Sequence, residues 1–205
     1  MKIFLKILLL SGLGFLNQLS AQDLDIKMLR KINLNRYKQF DSELQLVNQS
    51  ADYFAVGTPV ILLSAGLLKN DARLKKEGTN AALSVLGAYG VGYILKKTVN
   101  RVRPFEVYHD IQNYAVENDA SFPSGATSVS FATATSLSLS YPKWYVIVPS
   151  YLYAGTVGYS RLHLGVHYPS DVLAGAVLGA GSAVVSRALN KWVTNGLRKK
   201  KLKSN

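Results

Sequence analysis

The segment Ser160 to Asp171 reads SRLHLGVHYPSD. It sets a fixed cation (Arg161), a titratable ring (His167) and a carboxylate (Asp171) beside apolar segments, where ionisable groups are costly and tend to be functional. Asp171 falls in the first turn after Pro169. From there it can accept from one ring nitrogen of His167 and leave the other free. That arrangement fixes the tautomer and raises basicity, as in a nucleophile–orienter pair. A metal reading competes, because His163, His167 and Asp171 are spaced i, i+4, i+8, one face of a straight helix. Gly165 and Pro169 interrupt such a helix, and Arg161 would put a positive charge beside the ion, so no metal is expected.

Two other clusters carry polar chemistry. In KKTVNRVRPF, Lys96, Arg101 and Arg103 follow an apolar segment, and Pro104 ends the helical pattern. Taken alone, these cations read as snorkelling side chains at a membrane edge. In SFPSGATS, Ser124 and Gly125 would offer a hydroxyl and bare backbone N–H groups at a helix start, where the dipole favours an anion. Taken alone, that is an ordinary Pro-Ser helix start. Together, Lys96, Arg103 and Arg161 supply three cations, Ser124 and Gly125 supply neutral donors, and His167 is poised to attack. Such a set suits a dianionic phosphoryl group.

These clusters need elements that bring distant residues to one end of the molecule. The chain has 205 residues, 48% hydrophobic and 18% charged, with no Cys. The charged share is below that of soluble domains, while mean hydropathy is only +0.10, so the apolar residues must be concentrated. They lie in five segments, roughly 53–68, 79–95, 126–141, 144–159 and 169–190, rich in Gly, Ala and Ser. Small residues suit close helix packing in a bilayer; a soluble helical bundle is the alternative. The expected fold is all-α: a helical-bundle integral membrane protein with five core helices. An N-terminal signal peptide or first membrane helix (1–21) and an amphipathic surface helix within 22–50 complete it. The domain spans 22–190, and a basic tail follows at 191–205.

The net charge of +12 is concentrated in KNDARLKKEG and the tail RKKKLK. No basic stripe with interleaved aromatics suggests nucleic acid; the tail is suited instead to anionic lipid. If the N-terminus starts inside, both basic stretches lie inside, as the positive-inside rule asks. All three His then lie in outer connectors. The expected setting is a bacterial inner membrane crossed several times, with the chemistry facing the periplasm.

At these residues the chain resembles the type 2 phosphatidic acid phosphatase superfamily, whose phosphate site is shared with vanadium haloperoxidases. The family's K-x6-R-P motif matches Lys96, Arg103 and Pro104. Its S-R-x5-H-x3-D motif matches Ser160, Arg161, His167 and Asp171. Its P-S-G-H motif matches Pro123, Ser124 and Gly125, then meets Ala126. The resemblance covers roughly residues 22–190. It implies that Lys96, Arg103, Arg161, Ser124 and the Gly125 amide hold a lipid phosphate or diphosphate, or vanadate or tungstate as analogues. It also implies that His167 attacks phosphorus, that Asp171 orients His167, and that no cofactor is needed. The family's His at position 126 protonates the leaving oxygen; here that position is a methyl group. The rest of the site is intact, which favours a replaced residue over a decayed site. The alternatives are a non-catalytic lipid-phosphate binder and a soluble periplasmic phosphatase of the same family.

Overall fold

The computed structural model describes residues 22–115 and 117–203, with side chains as far as residue 196. The expected signal peptide or first membrane helix (1–21) and most side chains of the expected basic tail lie outside the described residues. Among the described residues there is no strand. Helix α1 spans residues 22–33, and a 3-10 turn at Lys38–Phe40 leads into α2 (Asp41–Leu68). There follow α3 (Ala72–Val99), the short α4 (Pro104–Val107), α5 (Gly125–Ser140), α6 (Trp144–His163) and α7 (Pro169–Lys203).

Local chemistry sets the ends. Asp71 caps α3, its carboxylate accepting from the N–H groups of Arg73 at 2.7 Å and Leu74 at 3.2 Å. Asn100, left-handed at φ 44°, stops α3. Pro104 and Pro169 open α4 and α7, where a missing N–H costs nothing. Gly165 turns the chain after α6 at φ +72°; a Cβ there would sit 2.6 Å from the carbonyl oxygen of Gln112.

The five expected apolar segments are the cores of α2, α3, α5, α6 and α7. Helix α2 begins a dozen residues before its apolar segment, because the polar turns around Asn48 and Asp52 continue the same helix. The bundle buries small residues and exposes large apolar ones. Ala55, Ala81, Ala88, Ala132, Ala134 and Ala154 are buried, while Ile61, Leu68, Leu86, Leu152, Leu173 and Val177 are exposed. Water would penalise that distribution; hydrocarbon favours it. The protein is an all-α helical-bundle integral membrane protein. Two helical stretches, Lys38–Leu68 and Pro169–Gly196, are each long and apolar enough to span by themselves. The small, polar α5 is shielded instead, packing on α2, α3, α6 and α7. Gly179 allows the closest approach, since a Cβ there would lie 2.0 Å from the carbonyl oxygen of Ser128.

The two ends of the bundle differ. At one, Glu77 accepts from Ser140 Oγ at 2.6 Å and pairs with Arg187 at 3.0 Å, near the basic connector after α2. At the other, the C-terminal ends of α3 and α6 meet the N-terminal ends of α5 and α7. The apolar side of α1 is turned onto that end of the protein: Ile26 and Leu29 are buried with Ile111 and Tyr168.

Candidate active site

The middle of α2, the ends of α3, α5 and α6, and the loops before α5 and α7 line an open cavity of about 560 Å³. Lys96, Arg103, Gly125, Ala126, Arg161 and His167 line it, so residues 71 positions apart in sequence share one wall. Ser124 and Asp171 lie behind that wall, fully buried. Gly125 opens α5, so the first N–H groups of that helix have no intrahelical partner. The Ser124 hydroxyl is hydrogen-bonded to Thr127 at 2.8 Å, and its N–H donates to the carbonyl oxygen of Asp171 at 3.0 Å. That bond ties the Pro-Ser-Gly turn to the His–Asp loop.

Each cation is held. Arg103 is buried and donates to the carbonyl oxygens of Val166 and Asp119, both at 2.8 Å. Lys96 Nζ lies 3.2 Å from Asp119. Arg161 donates to Asn48 and Glu117, and its Nε has no partner among the described residues. Buried cations are costly unless paired, and two carboxylates supply the pairing. Glu117 bridges Arg161 and Arg103, the latter at 3.3 Å; Asp119 bridges Arg103 at 2.5 Å and Lys96. Burial works to raise the pKa of Glu117, but Arg161 and then Arg103 outweigh it and hold the carboxyl below its ordinary value. Asp119 is lowered likewise, by Arg103 and Lys96 against burial.

His167 is wholly buried beside the cations. Burial first, and then the charge of Arg161, push its pKa down from 6.5 to about 3, against the pull of Asp171. The ring is therefore neutral at neutral pH. Its Nε2 lies 3.3 Å from Arg103 Nη1. A guanidinium only donates, so Nε2 is the acceptor and the proton is assigned to Nδ1. Nδ1 faces Asp171 Oδ2 at 3.5 Å and Ser121 Oγ at 3.4 Å. This tautomer turns the Nε2 lone pair toward the cations.

His163 is elsewhere. Helix α6 ends at this residue, and its Nε2 lies 2.7 Å from Asp41 in α2. The break at Gly165 separates it from His167, so the three-residue face that a metal would need does not form. The sequence reading missed Asn48, Glu117 and Asp119 on the cavity wall and Ser121 beneath it. The two carboxylates just before SFPSG were the available signal; Asn48 carried none, since nothing in sequence ties α2 to α6.

The family model described as PAP2 superfamily matches residues 77–195. An undecaprenyl-diphosphatase of Sulfolobus acidocaldarius is 28% identical over 166 residues, covering 79% of this chain and 76% of its own. A lipid A 4'-phosphatase of Bacteroides thetaiotaomicron is 35% identical over 91 residues, 42% of this chain and 40% of that protein. The crystal structure of LpxE from Aquifex aeolicus superposes with a TM-score of 0.70 at 27% identity, covering 80% of this chain and 94% of that one.

Proposed function

Because the chain belongs to the PAP2 superfamily, we propose that it is a membrane phosphatase acting on a lipid phosphate or diphosphate, with residues 22–190 as its working unit. One observation carries the reading: Lys96, Arg103, Arg161 and the neutral ring of His167 line one cavity. The cations and the N–H groups at the start of α5 hold the phosphoryl oxygens and their developing charge. The Nε2 lone pair of His167 attacks phosphorus. A P–N bond forms, the P–O bond to the lipid breaks, and the electron pair leaves on the lipid oxygen. Asp171 orients the ring and stabilises its charge. Water then cleaves the P–N bond, giving phosphate and neutral His167. No residue at position 126 can protonate the leaving oxygen, which must take its proton from water, so this form is slow on alkyl esters. The basic connector and tail lie at the opposite end of the bundle, which supports a site facing the periplasm and a tail against anionic lipid.

The test is phosphate release from a panel of phosphatidic acid, phosphatidylglycerol phosphate, undecaprenyl diphosphate and lipid A, by the chain as it stands and by Ala126→His. Release from at least one lipid by the His form is expected. Ala126 itself favours a second reading, a lipid-phosphate binder. No release from any lipid by either form, with phosphate still bound, would establish that reading instead.

Glu117 and Asp119 compete with an incoming phosphate for the same guanidiniums. Glu117→Gln is expected to tighten phosphate or vanadate binding about tenfold, or ~1.4 kcal/mol. Solvent screening keeps that below the ~4 kcal/mol that two charges 4 Å apart reach near a protein surface. Calorimetry reads the change, and an unchanged or weaker affinity would contradict the competition.

A further inference from the structure

Behind the cavity, Asp171 is fastened at both carboxylate oxygens. Oδ2 accepts from Ser121 Oγ at 2.5 Å and from the N–H of Tyr168 at 3.0 Å. Oδ1 accepts from Arg101 Nη1 at 2.7 Å. The same nitrogen donates to Ser170 Oγ at 2.7 Å, and the guanidinium lies 3.7 Å over the ring of Tyr168. Arg101 thus grips three residues that follow His167 within one turn.

Arg101 is gripped in its turn. Its Nη2 donates to Asp25 Oδ2 at 2.7 Å. Asp25 also accepts from the N–H of Ser170 at 2.9 Å and from its hydroxyl at 2.5 Å. Asp25 belongs to α1, which is itself anchored: Leu29 is fully buried, and Asn33 donates to the carbonyl oxygens of His163 at 2.8 Å and Gln112 at 3.0 Å. Neither Asp25 nor Arg101 lines the cavity that holds His167 and Ala126. Asp25 and α1 also precede the segment matched by the family model, which begins at residue 77.

We propose that Arg101, locked by Asp25 of α1, is a positioning residue for the His167–Asp171 pair, so that α1 is part of the working enzyme. The proposal rests on the reading of His167 as nucleophile. A buried carboxylate needs a counter-charge to stay ionised, and Arg101 is the cation that touches Asp171. It also fixes which way the carboxylate faces. Nδ1 and Oδ2 stand 3.5 Å apart, a contact that must tighten as the ring becomes charged during attack. A carboxylate free to rotate would not hold the Nδ1–H tautomer, and a mis-set ring lowers the rate of attack without weakening phosphate binding.

The test uses the full chain in detergent with an aryl phosphate. Asp25→Asn keeps size and removes the lock; Arg101→Gln removes the clamp. Asp25→Asn should lower kcat about tenfold and Arg101→Gln about 100-fold. KM and vanadate inhibition should stay within twofold, and Arg101→Lys should recover part of the loss. Parent-like kcat in Asp25→Asn would overturn the proposal. So would a fall in kcat matched by an equal loss of vanadate affinity, which marks general loosening of the fold. Asp25→Asn serves as the mild variant should Arg101→Gln fold poorly. Turnover by the parent without acid-labile phosphate on His167 would remove the intermediate, while the kcat ratio would still decide the clamp.

Discussion

Replacing Ala126 by His is expected to raise turnover of an alkyl lipid phosphate by about 100- to 10,000-fold, the range that a positioned general acid supplies. Ala126 is the second residue of α5 and lines the cavity with His167, Arg103 and Arg161. The cavity, about 560 Å³, has room for an imidazole, and a Cβ added at the neighbouring Gly125 would meet nothing within 4 Å. An alkoxide is a poor leaving group and gains most from a proton in the transition state. A nitrophenolate departs with less need of one, so the same substitution should change turnover of an aryl phosphate far less. Side-by-side kinetics on the two substrate classes read both effects. Equal turnover of an alkyl phosphate by the two forms would remove position 126 from the mechanism.

His167→Ala should lower turnover of both substrate classes by about 10,000-fold or more, the scale of losing a nucleophile, while phosphate or vanadate still binds. Neither His163 nor Ser124 is placed to take over. The His163 ring lies against Asp41, and the Ser124 hydroxyl is buried and bonded to Thr127. The two sides of the result separate catalysis from binding. Residual turnover near that of the parent would mean that another group attacks.

The helical segments and their breaks were legible in the sequence; the contacts between distant segments were not. Pro and Gly mark the boundaries, so the breaks at Gly165 and Pro169 announced that His163 and His167 would part company. The spacing of His167 and Asp171 announced a contact across the first turn of α7. What spacing could not carry were contacts between distant segments. Asn48 reaches Arg161 only because α2 packs against α6, and Asp25 reaches Arg101 only because α1 folds back on the loops. The lysines and arginines near Arg103 looked alike as a string. The structure sorts them by depth: Arg103 faces the cavity, while Arg101 turns to the buried carboxylate. Residues 22–50 read as amphipathic, but a periodic pattern does not say whether its apolar side meets lipid or protein. In α1 it meets protein, through Leu29 and Ile26.

The most direct test is acid-labile phosphate on the peptide that holds His167. The chain, with Ala at 126 and again with His, is mixed with an aryl phosphate, quenched rapidly, digested and read by mass spectrometry. A phosphoryl group on His167 is predicted, longer-lived with Ala at 126 because a methyl group cannot activate the water that removes it, and absent from His167→Ala. A phosphoryl group on Ser124 or His163, or none on His167 in either form while phosphate is released, would contradict the account.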